Sequence, residues 1–301
     1  MIGRLAVLGC ALLASCETVA LPETSLGYLV KARAYLDKGR SDNALYLLES
    51  IDESSFNGED LARYKIQLAE AHYQLGAYWS AFTMLEEFPR QFWTSRFRIR
   101  AERLQFDCGR KLAASGWTML GIVSDLSDGV SVLEHFVTYY PRSPHLADAL
   151  HILGEAAFKT HDYELAIERY SALVQKAPES EWSDQAAFRL AMSHFNLIEG
   201  SSYDSGQMHR AKQELAGYLQ SPTTNKAFVE ATRKALGETL RLIEEKHLQV
   251  ARFYLTVGNP FGALREVDLI LAQPDPIYGA EAREVKQRAT AMEAAAERKS
   301  R

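Results

Sequence analysis

Cysteine is scarce in this 301-residue chain, which has three: Cys10, Cys16 and Cys108. Two of them lie near the N-terminus, so Cys108 stands alone in the body and no disulfide framework is available there. Stability must come from apolar packing, and Cys108 reads as a small buried hydrophobe rather than a catalytic thiol. Catalytic signatures are missing as well: there is no His-Glu-x-x-His, Gly-x-Ser-x-Gly, Walker loop or Cys-x-x-Cys pair. The eight histidines are dispersed, and only His145 and His151 are near each other. His72 and His194 take the repeat position held elsewhere by Tyr35 and Tyr254, which makes them packing residues. No catalytic site, metal site or cofactor is expected. The formal charge of −5 argues against a nucleic-acid binder. No stretch after Cys16 reaches the roughly 18 apolar residues of a membrane helix. Nor does any run alternate with period two for long enough to compete as a sheet.

What is present begins at the N-terminus. Arg4 supplies a positive flank, residues 5–13 form a short apolar core, and Leu13-Ala14-Ser15 puts small residues before Cys16. An apolar core this short is a secretory signal rather than a span. The Leu-Ala-Ser-Cys ending resembles a bacterial lipobox, which implies cleavage after residue 15 and acylation of Cys16. The alternative is an ordinary secretory signal with Cys16 incidental. With two or more acyl chains, at about 0.8 kcal/mol per buried methylene, the lipid would hold firmly. On this reading residues 1–15 are the signal and 16–24 a lipid-proximal linker.

The body repeats itself. Residues 147–178 carry Leu150, Leu153, Gly154, Ala157, Ala166, Tyr170, Leu173 and Pro178 at the offsets of a tetratricopeptide (TPR) unit. Small residues at 154 and 166 let two antiparallel helices approach, and Tyr170 and Leu173 fill the space beside them. Other units share the phase: Ala32, Gly39, Ala44 and Leu48; then Ala69, Gly76, Ala81, Leu85, Phe88 and Pro89; a third ending in Phe136 and Pro141 after a loop expected over 116–129. A fifth, with Ala191, Ala211 and Leu215, is interrupted by a Gly/Ser-rich insertion at 199–207. The last has Ala251, Tyr254, Gly258 and Ala263. The expected fold is therefore all-α, a right-handed superhelical TPR solenoid of five to six helix pairs. A boundary near 114 would separate N-terminal TPR-like repeats, 25–114, from a second domain, 115–299.

Residues 130–287 resemble a narrower group. The run HFVTYYPRSPHLADALHILGEAAFKTHDYELAIERY is similar to the opening repeats of the BamD-like (YfiO/ComL) lipoproteins of outer-membrane β-barrel assembly. The later runs SSYDSGQMHRAKQELAGYLQSP and EEKHLQVARFYLTVGNPFGALREVDLIL match that family's Asp-containing insertion, its Val-Ala-Arg-Phe-Tyr type segment at 250–254, its Gly turn at Gly258 and a mid-helix Arg265. The resemblance implies an outer-membrane lipoprotein on the periplasmic face, acting as a non-enzymatic scaffold. A BamA-like protein and unfolded outer-membrane protein segments are the implied partners, with Arg252 and Arg265 in the docking region. Two departures mark a divergent member: the repeats before 90 are additional, and the final helix pair is reduced to the single helix 281–299. A general TPR lipoprotein of another envelope complex, such as secretion or cell-wall machinery, is the alternative.

The TPR phasing also names surfaces. First helices line a groove in such arrays, which places His151, Glu155, Phe158, Phe188, Met192 and Phe195 along a peptide-binding face. The same side chains buried between neighbouring repeats is the competing role, and both stay open. The asparagines of a carboxylate clamp are absent, since Arg33, Glu70, Glu155, Met192 and Arg252 stand at those positions. A second surface is the arginine run Arg90, Arg96, Arg98, Arg100 and Arg103, interleaved with Phe92, Trp93 and Phe97. It suits anionic headgroups or an acidic partner, or forms a solvated helix face.

Overall fold

The computed structural model describes residues 24–115, 124–201, 205–223 and 225–300, so the signal segment and Cys16 lie outside the described residues. Among the described residues all regular structure is helical. The chain divides into two compact units between Leu112 and Ala113.

The first unit opens with α1 (Ser25–Asp37) and α2 (Ser41–Glu49). Thr24 caps α1, its hydroxyl accepting from the Gly27 N–H at 3.1 Å, which satisfies one of the orphan donors of the first turn. Gly39, at φ 69°, makes the tight turn to α2. Leu29, Ala32, Leu36, Ala44, Leu47 and Leu48 fall at three- and four-residue spacing and are buried together with Phe56, Tyr64 and Leu68 of the following segment. Helix α3 (Gly58–Gln74) turns through Gly76 into the short α4 (Tyr78–Thr83), followed by α5 (Phe88–Gln91) and α6 (Arg98–Ser115).

The unit anticipated through Ala81, Leu85, Phe88 and Pro89 is thus broken. Pro89 has no N–H to give the Leu85 carbonyl, and it stands in the first turn of α5, where that missing donor is tolerated. That carbonyl is instead taken by the Phe88 N–H at 3.0 Å and by the buried Gln105 side-chain amide at 2.6 Å.

In the second unit each helix packs on the next: α7 (Ser124–Tyr139), α8 (Leu146–Lys159), α9 (Tyr163–Lys176), α10 (Ser183–Asn196), α11 (Ser205–Gln220), α12 (Lys226–Thr256), α13 (Pro260–Leu271) and α14 (Gly279–Ser300). The first helices also meet, α8 with α10 and α10 with α12. The loop expected to extend to 129 ends earlier, since α7 begins at Ser124 and Gly129 is buried inside it. Gly154 lies against Tyr170 so closely that an added methyl would sit 2.7 Å from the ring, and Gly262 meets Tyr254 in the same way. These two glycines set the approach of α8 to α9 and of α12 to α13. Between α8 and α9 the turn residue is His161, at φ 64°.

Candidate protein-binding faces

On α8, His151, Glu155 and Phe158 share one helix face, and α10 meets it. Glu155 accepts from Tyr170 Oη at 2.9 Å, from Arg189 Nε at 2.9 Å and from Gln185 Nε2 at 3.3 Å. Burial pushes this carboxyl up, but the Tyr170 hydroxyl and the Arg189 guanidinium outweigh it, so Glu155 sits below its usual range. The phenol of Tyr170 is pushed well above its usual range by burial and then by the charge of Glu155. The Arg189 guanidinium lies 4.5 Å from the centre of the Phe158 ring. His151 stacks on Trp182, with centroids 3.9 Å apart and rings 6° from parallel. Trp182 Nε1 donates to Asp148 Oδ1 at 2.7 Å. Burial holds the His151 imidazole below its ordinary range, which favours the neutral ring.

Phe188 takes the interior role that the sequence left open. It is 8% exposed and stacks on Phe228 of α12 at 4.2 Å, in a cluster with Ala191, Leu215, Tyr218 and Ala235. It supports the face rather than lining it, because α12 closes over it. Met192 and Phe195 pack against the same cluster but stay partly exposed. The α8 residues thus form a polar and aromatic seam with α10, and the accessible part of the face lies toward Met192, Phe195 and the edge of Arg189.

Trp182, Gln185 and Arg189 were not singled out from the sequence, yet they complete this seam. A signal for them existed. The pairs Asp148–Trp182, Glu155–Arg189, Asp184–Tyr218 and Glu244–Tyr278 are each 34 residues apart, one TPR period. Asp148–Trp182 and Glu155–Arg189 couple a position in α8 to its counterpart at the start of or within α10, whereas Asp184–Tyr218 joins the two helices of one pair.

Arg252 and Arg265 are exposed on α12 and α13 and form no ion pair with a described residue. Nearby in sequence, Phe253, Val257 and Phe261 are 60%, 56% and 68% exposed. Phe253 lies in the last turn of α12 and Val257 caps that helix, while Phe261 and Arg265 lie one turn apart on α13.

In the first unit the arginine run is largely engaged by carboxylates. Arg100 and Arg33 both bond Glu70, while Arg90, Arg96 and Arg103 face Glu87, Glu59 and Asp107. Cys108 is buried, and desolvation pushes its thiol up to about 12, far from a reactive thiolate at neutral pH. No cluster of metal-ligating side chains occurs among the described residues. No described helix is long and apolar enough to cross a membrane.

Paired helices, the 34-residue coupling and glycine-on-tyrosine contacts define an all-helical repeat protein of the TPR class, a class that works by binding other proteins. The sequence model of the YfiO family, described as outer membrane lipoprotein, matches residues 122–300. The chain belongs to that family. No match is found among curated proteins. Solved structures that resemble it include MamA AMB-1, at 16% identity over 86% of this chain and 97% of that one, with a TM-score of 0.26. The TPR2AB domain of yeast Sti1 in its pHSP90 complex is 13% identical over 88% and 97%, with a TM-score of 0.26. The P58(IPK) TPR domain is 13% identical over 90% and 79%, at 0.28. Scores this low carry no argument about shape or ligands.

Proposed function

We propose that the protein is a non-enzymatic scaffold in outer-membrane β-barrel protein assembly, tethered through a lipidated Cys16 at the periplasmic face of the outer membrane. The observation that carries this reading is the outer-membrane lipoprotein family match, which spans helices α7 to α14 of the second unit. The unit offers two kinds of protein-binding surface. The face of α8 and α10, with His151, Glu155, Phe158, Met192 and Phe195 accessible in part and Phe188 behind them, suits an extended or helical segment with apolar anchors, such as part of an unfolded barrel protein. The exposed arginines and phenylalanines of α12 and α13 suit a folded partner of the BamA type. Arg252 and Arg265 are the preferred contacts, because a guanidinium fork can engage a carboxylate bidentately and interface hot spots are enriched in Arg and aromatics.

The test is affinity purification from crosslinked envelopes with mass spectrometry, comparing the wild type with Arg265→Glu and Arg252→Glu. A BamA-like protein recovered with wild type and reduced by the substitutions supports both the role and the docking face. Recovery that ignores the substitutions keeps the role and discards those arginines. A second reading, a TPR lipoprotein of another envelope complex, is favoured by one observation: the first unit lies outside the family match. Recovery of secretion or cell-wall components in place of barrel-assembly proteins would select it. Metabolic labelling with palmitate, lost in Cys16→Ser, tests the tether.

A further inference from the structure

Helix α1 opens the first unit and packs on α2 and α3. Its buried side is Leu29, Ala32 and Leu36. On another side Leu26 and Val30 stand one turn apart and are 50% and 60% exposed, with Ala34 exposed a turn further on. No described helix precedes α1 to cover this stripe. The closing helix of the second unit is built differently. Helix α14 buries Ala282, Val285 and Ala289 and turns Arg283, Glu284, Lys286 and Arg288 to solvent. Terminal repeats need such a polar outer face to stay soluble, and the first two turns of α1 lack it.

The stripe is bounded along the helix. Toward the C-terminal end of α1 the Arg33 guanidinium bonds both Asp37 and Glu70, so that half carries charges satisfied within the unit. The apolar half is the one nearer Cys16.

Thr24, the cap of α1, follows Cys16 by eight positions. A chain of that length reaches at most about 29 Å fully extended, and about 16 Å as a flexible tether. Helix α1 itself, with 13 residues, is about 20 Å long. With Cys16 lipidated, the reading on which this inference rests, the start of α1 stays within that reach of the bilayer. Two half-exposed aliphatic side chains are too little to bring a free protein to a membrane. A tether this short makes their contact an intramolecular event, so that a weak apolar contact becomes populated.

We propose that the N-terminal half of α1 lies on the membrane surface, with Leu26 and Val30 seated at the boundary between headgroups and acyl chains. The occupant is a lipid surface because the tether holds that surface within reach of this stripe. Headgroup charge is not required, since the stripe itself carries none. The contact fixes which face the first unit turns to the bilayer, a choice that the lipid alone leaves free.

The experiment uses the lipidated full chain in phosphatidylcholine vesicles, with the fluorophore NBD on Leu26→Cys, on Val30→Cys or, as a reference, on Thr83→Cys, which is exposed on α4. Cys108 is buried, so the folded protein takes the label at the introduced thiol. A helix lying about 5–10 Å into the interface should have NBD at positions 26 and 30 quenched at least about twofold by nitroxide-bearing phosphatidylcholine, with the label at 83 left near its starting intensity. Val30→Glu, at an exposed position, should return the label at 26 to the reference level while the protein still floats with the vesicles. Equal quenching at all three positions, or quenching at 26 that survives Val30→Glu, would overturn the proposal, because the tether alone would then account for it. So would a blue shift at 26 that rises with protein concentration and ignores the nitroxide, which would mean that a second copy covers the stripe. Flotation separates the contact from the tether. Flotation that is lost in Cys16→Ser, with no quenching at 26 or 30, discards the contact and keeps the lipid; a wild type that fails to float discards both.

Discussion

The two units place a glutamate at the same repeat position and surround it differently. In the first unit Glu70 is bonded by Arg33, at 2.7 Å, and by Arg100, which lies on α6 and is 45% exposed. In the second, Glu155 has one arginine, an amide and the buried hydroxyl of Tyr170. Burial holds Glu70 above the ordinary carboxylate range despite its two cations, whereas Glu155 is held below it. Counting opposite charges therefore misjudges the pair. A short bond from a buried, oriented hydroxyl favours the ionised form without adding a second charge to be desolvated. The glycines differ in parallel. In the first unit Gly39 and Gly76 have nothing within 4 Å of an added methyl and serve the backbone, while Gly154 in the second serves packing against Tyr170.

The strongest way to break the second arrangement is to push on that packing. Gly154→Ala places a methyl on a ring that cannot swing away without leaving Glu155, so it should destabilise the second unit by about 1–3 kcal/mol. In a denaturant double-mutant cycle with Glu155→Gln, the two effects should fall short of additivity. Additive effects would mean that the ring does not couple them.

Removing one cation from each glutamate sharpens the contrast. Arg189→Ala should lower stability by about 1–3 kcal/mol, since it strips a partner from a mostly buried carboxylate. Arg100→Ala should cost under about 1 kcal/mol, because its side chain is largely solvated and Arg33 remains. Equal effects would show that the neighbours of Glu70 and Glu155 are interchangeable.

Acid separates the two carboxyls by sign. The folded-state depression of Glu155 supplies stability that is present above the unfolded pKa of about 4.3 and is lost as pH falls through the lower folded value. The raised Glu70 supplies stability that is full below the unfolded value and is lost as pH rises through the higher folded one. Stability measured by denaturant between about pH 3 and pH 7 should therefore show a shallower acid loss in Glu155→Gln than in wild type. Glu70→Gln should not soften that loss.

The smallest effect concerns the turns. His161 adopts the left-handed conformation that Gly39 and Gly76 hold in the first unit. His161→Gly should raise the second unit's thermal midpoint by an amount corresponding to about 1 kcal/mol, since the side chain disfavours that geometry. No rise would mean that the edge-on contact of His161 with Tyr163, at 5.8 Å, offsets the strain.

The repeating helix pairs were legible in the residues because their period is local. Ala166, Tyr170, Leu173 and Gly154 recur at helical offsets, and the structure buries all of them. The break after Thr83 was less legible, because Pro89 signals a turn but the rescue of the Leu85 carbonyl comes from Gln105 on another helix. Of the anticipated groove residues, Phe188 was placed on the right helix but with its exposure undecided. Nothing local says that Phe228 will stack on it. Arg189 and Trp182 were readable in principle through the 34-residue spacing, but only once the contacts showed that this spacing joins neighbours.

By itself the sequence determined an all-helical repeat chain, because helix period and turn glycines are properties of adjacent residues. Tertiary structure decided which faces remain open. It closed Phe188, engaged Glu155 and most of the arginine run, and left Phe253 and Phe261 exposed. Exposure depends on how far each helix is covered by its neighbours, and that coverage is set by packing between segments distant along the chain.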